Sequence, residues 1–157
     1  MRGLRQRPLL FPLIVAVLAI TGCSSEAEES PGVCEPNLLD SSGDVQAASD
    51  DIEVWALFFV TYQGLAPGEP VFVPEGEEIK IVWRATGEGD VTFQALGPNG
   101  SVVTPIWGPE GHASSSWDSH PGDEWGTGWV FPEAGCWSVE LRRDDGSVAY
   151  LDVDIRV

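Results

Sequence analysis

The chain predicts an all-β fold, an antiparallel β-sandwich of about seven or eight short strands, and three observations carry that prediction. Apolar and polar residues alternate along Glu78–Arg84, Val91–Leu96, Cys136–Arg143 and Val148–Val157, the period-2 pattern of strands with one buried face. From Asp51 onward no segment sustains a 3.6-residue apolar period. The 18 Gly and 12 Pro fall largely between the alternating runs, where a sheet protein needs its turns. The 157 residues allow one such domain plus a tail. With 25 acidic residues against 8 basic ones and a formal charge of −17, binding to bare nucleic acid through a basic surface is excluded. A hydrophobic content of 43% excludes wholesale disorder.

At the amino terminus, Arg2, Arg5 and Arg7 precede an apolar run from Leu9 to Ile20, too short to span a bilayer and ending in small residues. The following Ile20-Thr21-Gly22-Cys23 resembles the lipobox of bacterial lipoproteins, with Thr21 a departure from the commoner Ala or Ser. The resemblance implies cleavage of residues 1–22 before Cys23, a diacylglyceryl group on the Cys23 sulfur and usually an acyl chain on its new amine. A simple cleaved signal peptide leaving Cys23 as a free thiol is the alternative. Each buried methylene contributes about 0.8 kcal/mol, so two or more chains hold stably where one is marginal. Removing residues 1–22 takes away three Arg and no acid, moving the formal charge from −17 to −20. Such a domain is repelled by anionic headgroups and stands off the membrane. Residues 23–50, rich in Ser, Glu, Asp, Pro and Gly, read as the lipidated Cys followed by a disordered acidic stalk.

Residues 51–157 then read as the sandwich. Ile52–Val60 is a long apolar run with Trp, Phe and β-branched residues, expected as a well-buried strand. Glu78–Arg84 places Ile79, Ile81 and Trp83 on one face, and Val91–Leu96 does the same for Val91, Phe93 and Ala95. Gly97-Pro98-Asn99-Gly100 is a tight turn, with Ser101–Ile106 returning from it; Asn-Gly is the favoured hairpin dipeptide, so the turn is preferred to the Asn99-Gly100-Ser101 glycosylation reading. Cys136–Arg143 puts Trp137, Val139 and Leu141 inward. After the turn Asp144-Asp145-Gly146, the run Val148–Val157 aligns Leu151, Val153, Ile155 and Val157.

Phe131-Pro132-Glu133-Ala134-Gly135-Cys136-Trp137 resembles the Pro-x-x-Gly-x-aromatic lead into a late strand of Ig-like domains, with Trp137 in the place usually held by Tyr. Together with Ile79–Arg84, the Gly-Pro-Asn-Gly turn, Trp107-Gly108-Pro109-Glu110-Gly111-His112, Trp117 and Pro121-Gly122-Asp123-Glu124-Trp125-Gly126-Thr127-Gly128, the stretch from about Trp55 to Val157 resembles a family of bacterial lipoproteins with an Ig-like domain. That resemblance implies an Ig-like β-sandwich and an envelope location, and transfers no catalytic role. With Cys23 lipidated, Cys34 and Cys136 remain in an oxidising compartment, which favours a disulfide; two free thiols are the alternative. If Trp137 points inward, Cys136 points outward, and the bridge clips the stalk onto the outside of the sandwich. It closes a loop of 103 residues, for which chain entropy allows up to roughly 4.7 kcal/mol.

The segment from Trp107 to Trp137 holds five of the seven Trp and both His, and reads as a long decorated loop at one end of the sandwich, where binding sites tend to sit. Trp117 and Trp125 stacking on sugar rings, with Asp118, His120, Asp123 and Glu124 at the hydroxyls, would bind a ligand or glycan; the bland alternative is a loop packed on itself. His112, His120, Asp118, Asp123 and Glu124 offer metal donors in no recognised spacing, so no metal or cofactor is expected. Ser, His and Asp all occur within 112–120, but with no GxSxG elbow no catalytic residue is assigned. The expectation is a non-enzymatic, lipid-anchored module on the extracytoplasmic face of the cell membrane, bound there through Cys23. An envelope protein or wall glycan is the expected partner and nucleic acid is not. A carbohydrate-binding accessory domain and an Ig-like protease inhibitor are the alternatives.

Overall fold

The computed structural model describes residue 35 and residues 37–59, 66–112, 116 and 120–157. Ten strands run through them: β1 (Val45–Gln46), β2 (Val54–Phe59), β3 (Phe72–Pro74), β4 (Glu78–Ala85), β5 (Val91–Leu96), β6 (Val102–Val103), β7 (Trp107–Gly111), β8 (Asp123–Val130), β9 (Gly135–Arg143) and β10 (Val148–Arg156). They form two five-stranded sheets, ordered β1-β2-β4-β8-β7 and β3-β10-β9-β5-β6. All pairings are antiparallel except β3 with β10. The inner faces of both sheets enclose one core, and Trp83 of β4 meets Phe93 of β5 across it at 5.0 Å. The protein is therefore an all-β sandwich, as the alternating runs require.

Three buried indoles fill this core, and each needs a partner for its N–H. Thr127, fully buried on β8, supplies two of them. Its Oγ1 accepts from Trp83 Nε1 and Trp129 Nε1, both at 2.8 Å, and donates to the Ile81 carbonyl at 3.1 Å. One hydroxyl thus uses both its lone pairs and its proton, and it ties β4 to β8 from inside. Trp137 solves the same problem locally by donating to the Glu133 carbonyl at 3.0 Å. Its ring lies against Gly97, where an added Cβ would come within 2.5 Å of the indole, so that position excludes any side chain.

The turns follow their sequence signals. Asn99 and Gly100 both have positive φ (55° and 76°), and Ser101 N–H closes onto the Pro98 carbonyl at 3.0 Å. In the β9–β10 turn, the Asp145 carboxylate accepts from the backbone N–H of Ser147 (2.8 Å) and of Glu88 (3.0 Å), linking this turn to the β4–β5 loop.

Several expectations are corrected. The disordered stalk does not extend over residues 37–49. Leu38 bridges Pro70, β1 pairs with β2, and Ala48 bridges Tyr150 of β10 with mutual N–H···O contacts of 2.8 and 2.9 Å. Val45 is 1% exposed, Ala47 also joins the core and Leu39 packs against it, so a segment whose overall composition is polar is docked by a few apolar side chains together with these backbone pairings. The strand drawn from Ser101 to Ile106 shrinks to Val102–Val103. Val157 lies beyond the end of β10, fully exposed, and does not share the face of Ile155.

Two outcomes follow. Thr127→Val strands two buried indole N–H groups while keeping the volume, and is expected to destabilise by about 2–4 kcal/mol in urea unfolding. The hydrogen bonds from Ser147, through its side chain and backbone, and from Glu88 hold Asp145 at a pKa of about 2 against an ordinary 3.8. A depressed carboxylate contributes stability above its unfolded value and loses it as pH falls through the folded one. The stability gap between wild type and Asp145→Ala is therefore expected to be full above about pH 4 and to close near pH 2, with the Asp145 carboxyl ¹³C resonance titrating at the same point.

Candidate functional site

The outward positions of the first sheet carry the densest polar chemistry among the described residues. Strand alternation sends Trp55 and Leu57 of β2, Lys80, Val82 and Arg84 of β4, and Glu124 of β8 to this outer face. Although outward, Trp55 and Val82 are buried. Trp107 of β7 lies against Gly126 and Gly128 and donates from Nε1 to Glu78 at 2.8 Å; a Cβ on Gly128 would run into its indole. The β7 strand is bulged between Trp107 and Glu110 and contains a cis Gly108–Pro109 peptide.

Glu124 is the hub of one network. Its carboxylate accepts from Arg84 Nη1 at 3.1 Å, from His112 Nδ1 at 2.6 Å, from Ser116 N–H at 2.9 and 3.0 Å, and from Ser116 Oγ at 3.0 Å. Lys80 Nζ lies 3.5 Å from His112 Nε2. With only 5% of its side chain exposed, Glu124 is a buried carboxylate whose charge is met by a guanidinium, an imidazole and a backbone amide. These contacts bring Ser116 and His112, from the long β7–β8 connection, onto the sheet.

A second cluster forms where that connection returns. The His120 ring stacks on Trp55, centroids 4.2 Å apart and planes within 5°, and its Nε2 meets Asp44 Oδ2 at 2.7 Å. Asp44 precedes β1 and is completely buried. Asp40 sits beside it, its Oδ1 accepting from Ser42 N–H at 2.6 Å and Asp44 N–H at 3.4 Å. Burial, together with the neighbouring Asp40 carboxyl, pushes the Asp44 carboxyl up, and His120 only partly opposes this. For Asp40, slight burial acts upward, but hydrogen bonds from Asp44 and the turn amides outweigh it and lower the pKa. The three donors of Asp40, Asp44 and His120 lie within 4.8 Å of one another, a set able to hold a cation.

Of the residues expected to share one ligand site, those among the described residues divide between two faces of β8 and its surroundings. Trp117 and Asp118 lie outside the described residues, as do Cys23 and Cys34. Asp123, Glu124 and Trp125 are consecutive on β8, so they alternate between faces: Glu124 joins the outer network while Asp123 and Trp125 turn to the core end. There the Arg143 guanidinium covers the Trp125 ring at 4.6 Å and bonds Asp123 and the Gly87 carbonyl, both at 2.9 Å. Trp125 is half-buried under an arginine and is not an open aromatic platform, which leaves the glycan reading without its second stacking ring. Cys136 faces outward at the start of β9, as the parity of Trp137 requires, and is not a free thiol.

The sequence reading missed Asp40 and Asp44, which it assigned to the stalk. The available signal was an Asp-Ser-Ser-Gly-Asp turn between Leu38-Leu39 and the alternating Val45 and Ala47.

On the second sheet the outer face is different. Leu96, Val102 and Tyr150 are 56%, 60% and 48% exposed and surround a shallow groove of about 190 Å³, lined also by Gln94, Ser138 and Glu140. Registry explains the groove: small Ser138 lies between Leu96 and Asp152, so the sheet surface dips there. No family model, curated protein or solved structure matches the chain.

Glu124→Ala leaves Arg84 and His112 facing an uncharged gap and is expected to cost about 3 kcal/mol. It is also expected to increase proteolytic cutting between His112 and His120 under native conditions, read by limited proteolysis and mass spectrometry.

Proposed function

We propose that this chain is a lipid-anchored, extracytoplasmic, Ig-like binding module of the bacterial cell envelope that engages a protein partner and carries out no catalysis. The exposed apolar groove of Leu96, Val102 and Tyr150 is the observation that carries the binding role. It stands out on a domain whose mature charge is −20, and Glu140 and Asp152 neighbour it. A patch of this kind favours an apolar side chain set among basic residues.

Two features support the Ig-like reading. In chain order, β2-β4-β8-β7 and β5-β9-β10 carry the neighbour relations of A-B-E-D and C-F-G. Trp137 donating back to Glu133 does what the corner Tyr of such domains does, and Val139 occupies the β9 position where antibody domains place their second inter-sheet Cys.

Location rests on the Ile20-Thr21-Gly22-Cys23 resemblance, with the acidic domain held off anionic headgroups. A Cys34–Cys136 bridge would fasten the tether beside β9 without crossing the core.

Labelled palmitate is expected to enter the wild type and not Cys23→Ser. A photo-crosslinker at Val102 is expected to trap a discrete envelope protein in cells, and Leu96→Glu is expected to abolish that adduct without lowering Tm. Palmitate entering Cys23→Ser equally removes the anchor. An adduct indifferent to Leu96→Glu removes the groove.

A further inference from the structure

We propose that Asp40, Asp44 and His120 form a binding site for one divalent transition-metal ion of the zinc class, joining the segment ahead of β1 to the returning end of the β7–β8 connection. The proposal is independent of the lipid anchor and of the apolar groove.

The donor set comes first. One imidazole and two carboxylates, the imidazole at least 76 positions from either carboxylate, place their ligand atoms within 4.8 Å of one another. Around a tetrahedral zinc ion with bonds of about 2.0–2.2 Å, donors stand about 3.4 Å apart. Closing the widest gap therefore takes about 1.4 Å, shared between two side chains. The imidazole selects against magnesium and calcium, and the carboxylates select against a soft thiolate-seeking ion.

A separate observation points to a missing partner. Asp44 is fully buried, yet its Oδ1 accepts no hydrogen bond, although its Oδ2 is met by His120. A buried carboxylate oxygen with nothing to accept is costly, and a second carboxylate beside it adds repulsion. A cation between Asp40 and Asp44 answers both.

The surroundings fit a held ligand set. Trp55 fixes the plane of the His120 ring by stacking, and the Ser42 and Asp44 amides fix Asp40 through Oδ1, with Oδ2 outside those bonds. Asp40 is exposed and gives the ion a path in from solvent. The field also favours a cation: Arg84, Arg142, Arg143 and Arg156 already face carboxylates. On binding, the ion takes the Nε2 lone pair while the ring keeps its proton on Nδ1, and the one proton shared with Asp44 Oδ2 leaves to solvent.

The test is calorimetric titration of the full chain with zinc chloride alone, with calcium chloride as the comparison. One equivalent of zinc is expected to bind at least about tenfold more tightly than calcium. Asp40→Asn, which keeps the Oδ1 acceptor of its turn, and His120→Gln are each expected to weaken zinc at least about tenfold, while Asp154→Asn on the far sheet leaves it unchanged. Zinc is further expected to shift the His120 ring resonances in the wild type, with unchanged amide spectra elsewhere in Asp40→Asn showing that this variant is folded. Absence of a one-equivalent zinc event overturns the site. So does zinc affinity indifferent to Asp40→Asn, which would mean diffuse binding to surface acids, and so does calcium binding as tightly as zinc.

Discussion

The sandwich depends on how the hydroxyl of Thr127 is shared. A core built on Trp gains large apolar area but brings N–H groups into a place without water, and each one left unpaired would offset much of that gain. Thr127 meets two of them with one oxygen and anchors itself to the Ile81 carbonyl. This fixes the rotamers of Trp83 and Trp129, which in turn position Phe93 and Phe131. Neither Ser nor Val serves equally well, since Ser leaves a methyl-sized gap and Val offers no acceptor.

The two outer faces have opposite characters, and both follow from strand parity. The first sheet sends Trp55 and Val82 outward and covers them, using Glu124 and Asp44 to fasten the β7–β8 connection by its middle and its end. The second sheet sends Leu96 and Tyr150 outward and leaves them open. A chain this acidic has few cations to spend, and the four arginines among the described residues all face carboxylates, Arg84 and Arg143 tying β4 and β9 to β8. The second sheet thus presents an apolar depression among acidic neighbours.

The late strands were legible because their information is local. Trp137, Val139 and Leu141 alternate, Asn99-Gly100 has only one comfortable turn, and Gly135 marks the corner before Trp137. What could not be read depends on contacts distant in sequence. Val45 reaches the core because β2 offers an open edge, which the composition of residues 23–50 does not reveal. His120 and Asp44 lie 76 positions apart, and nothing near either residue announces the other. The adjacent acids and Trp at 123–125 looked like one recognition surface, yet adjacency in a strand means opposite faces. The extended stretch at Phe72–Pro74 gave no alternation long enough to flag β3, whose parallel pairing with β10 comes from the chain's last strand.

The docked segment ahead of β2 also has a mechanical meaning. It grips both sheets, through Val45–Ala56 on one side and Ala48–Tyr150 on the other. Tension arriving through residues 1–34 would pass across a Cys34–Cys136 bridge directly into β9, leaving this two-residue strand and its isolated bridges unloaded. With that bridge reduced, the same short ladders would carry the load and be the first to yield.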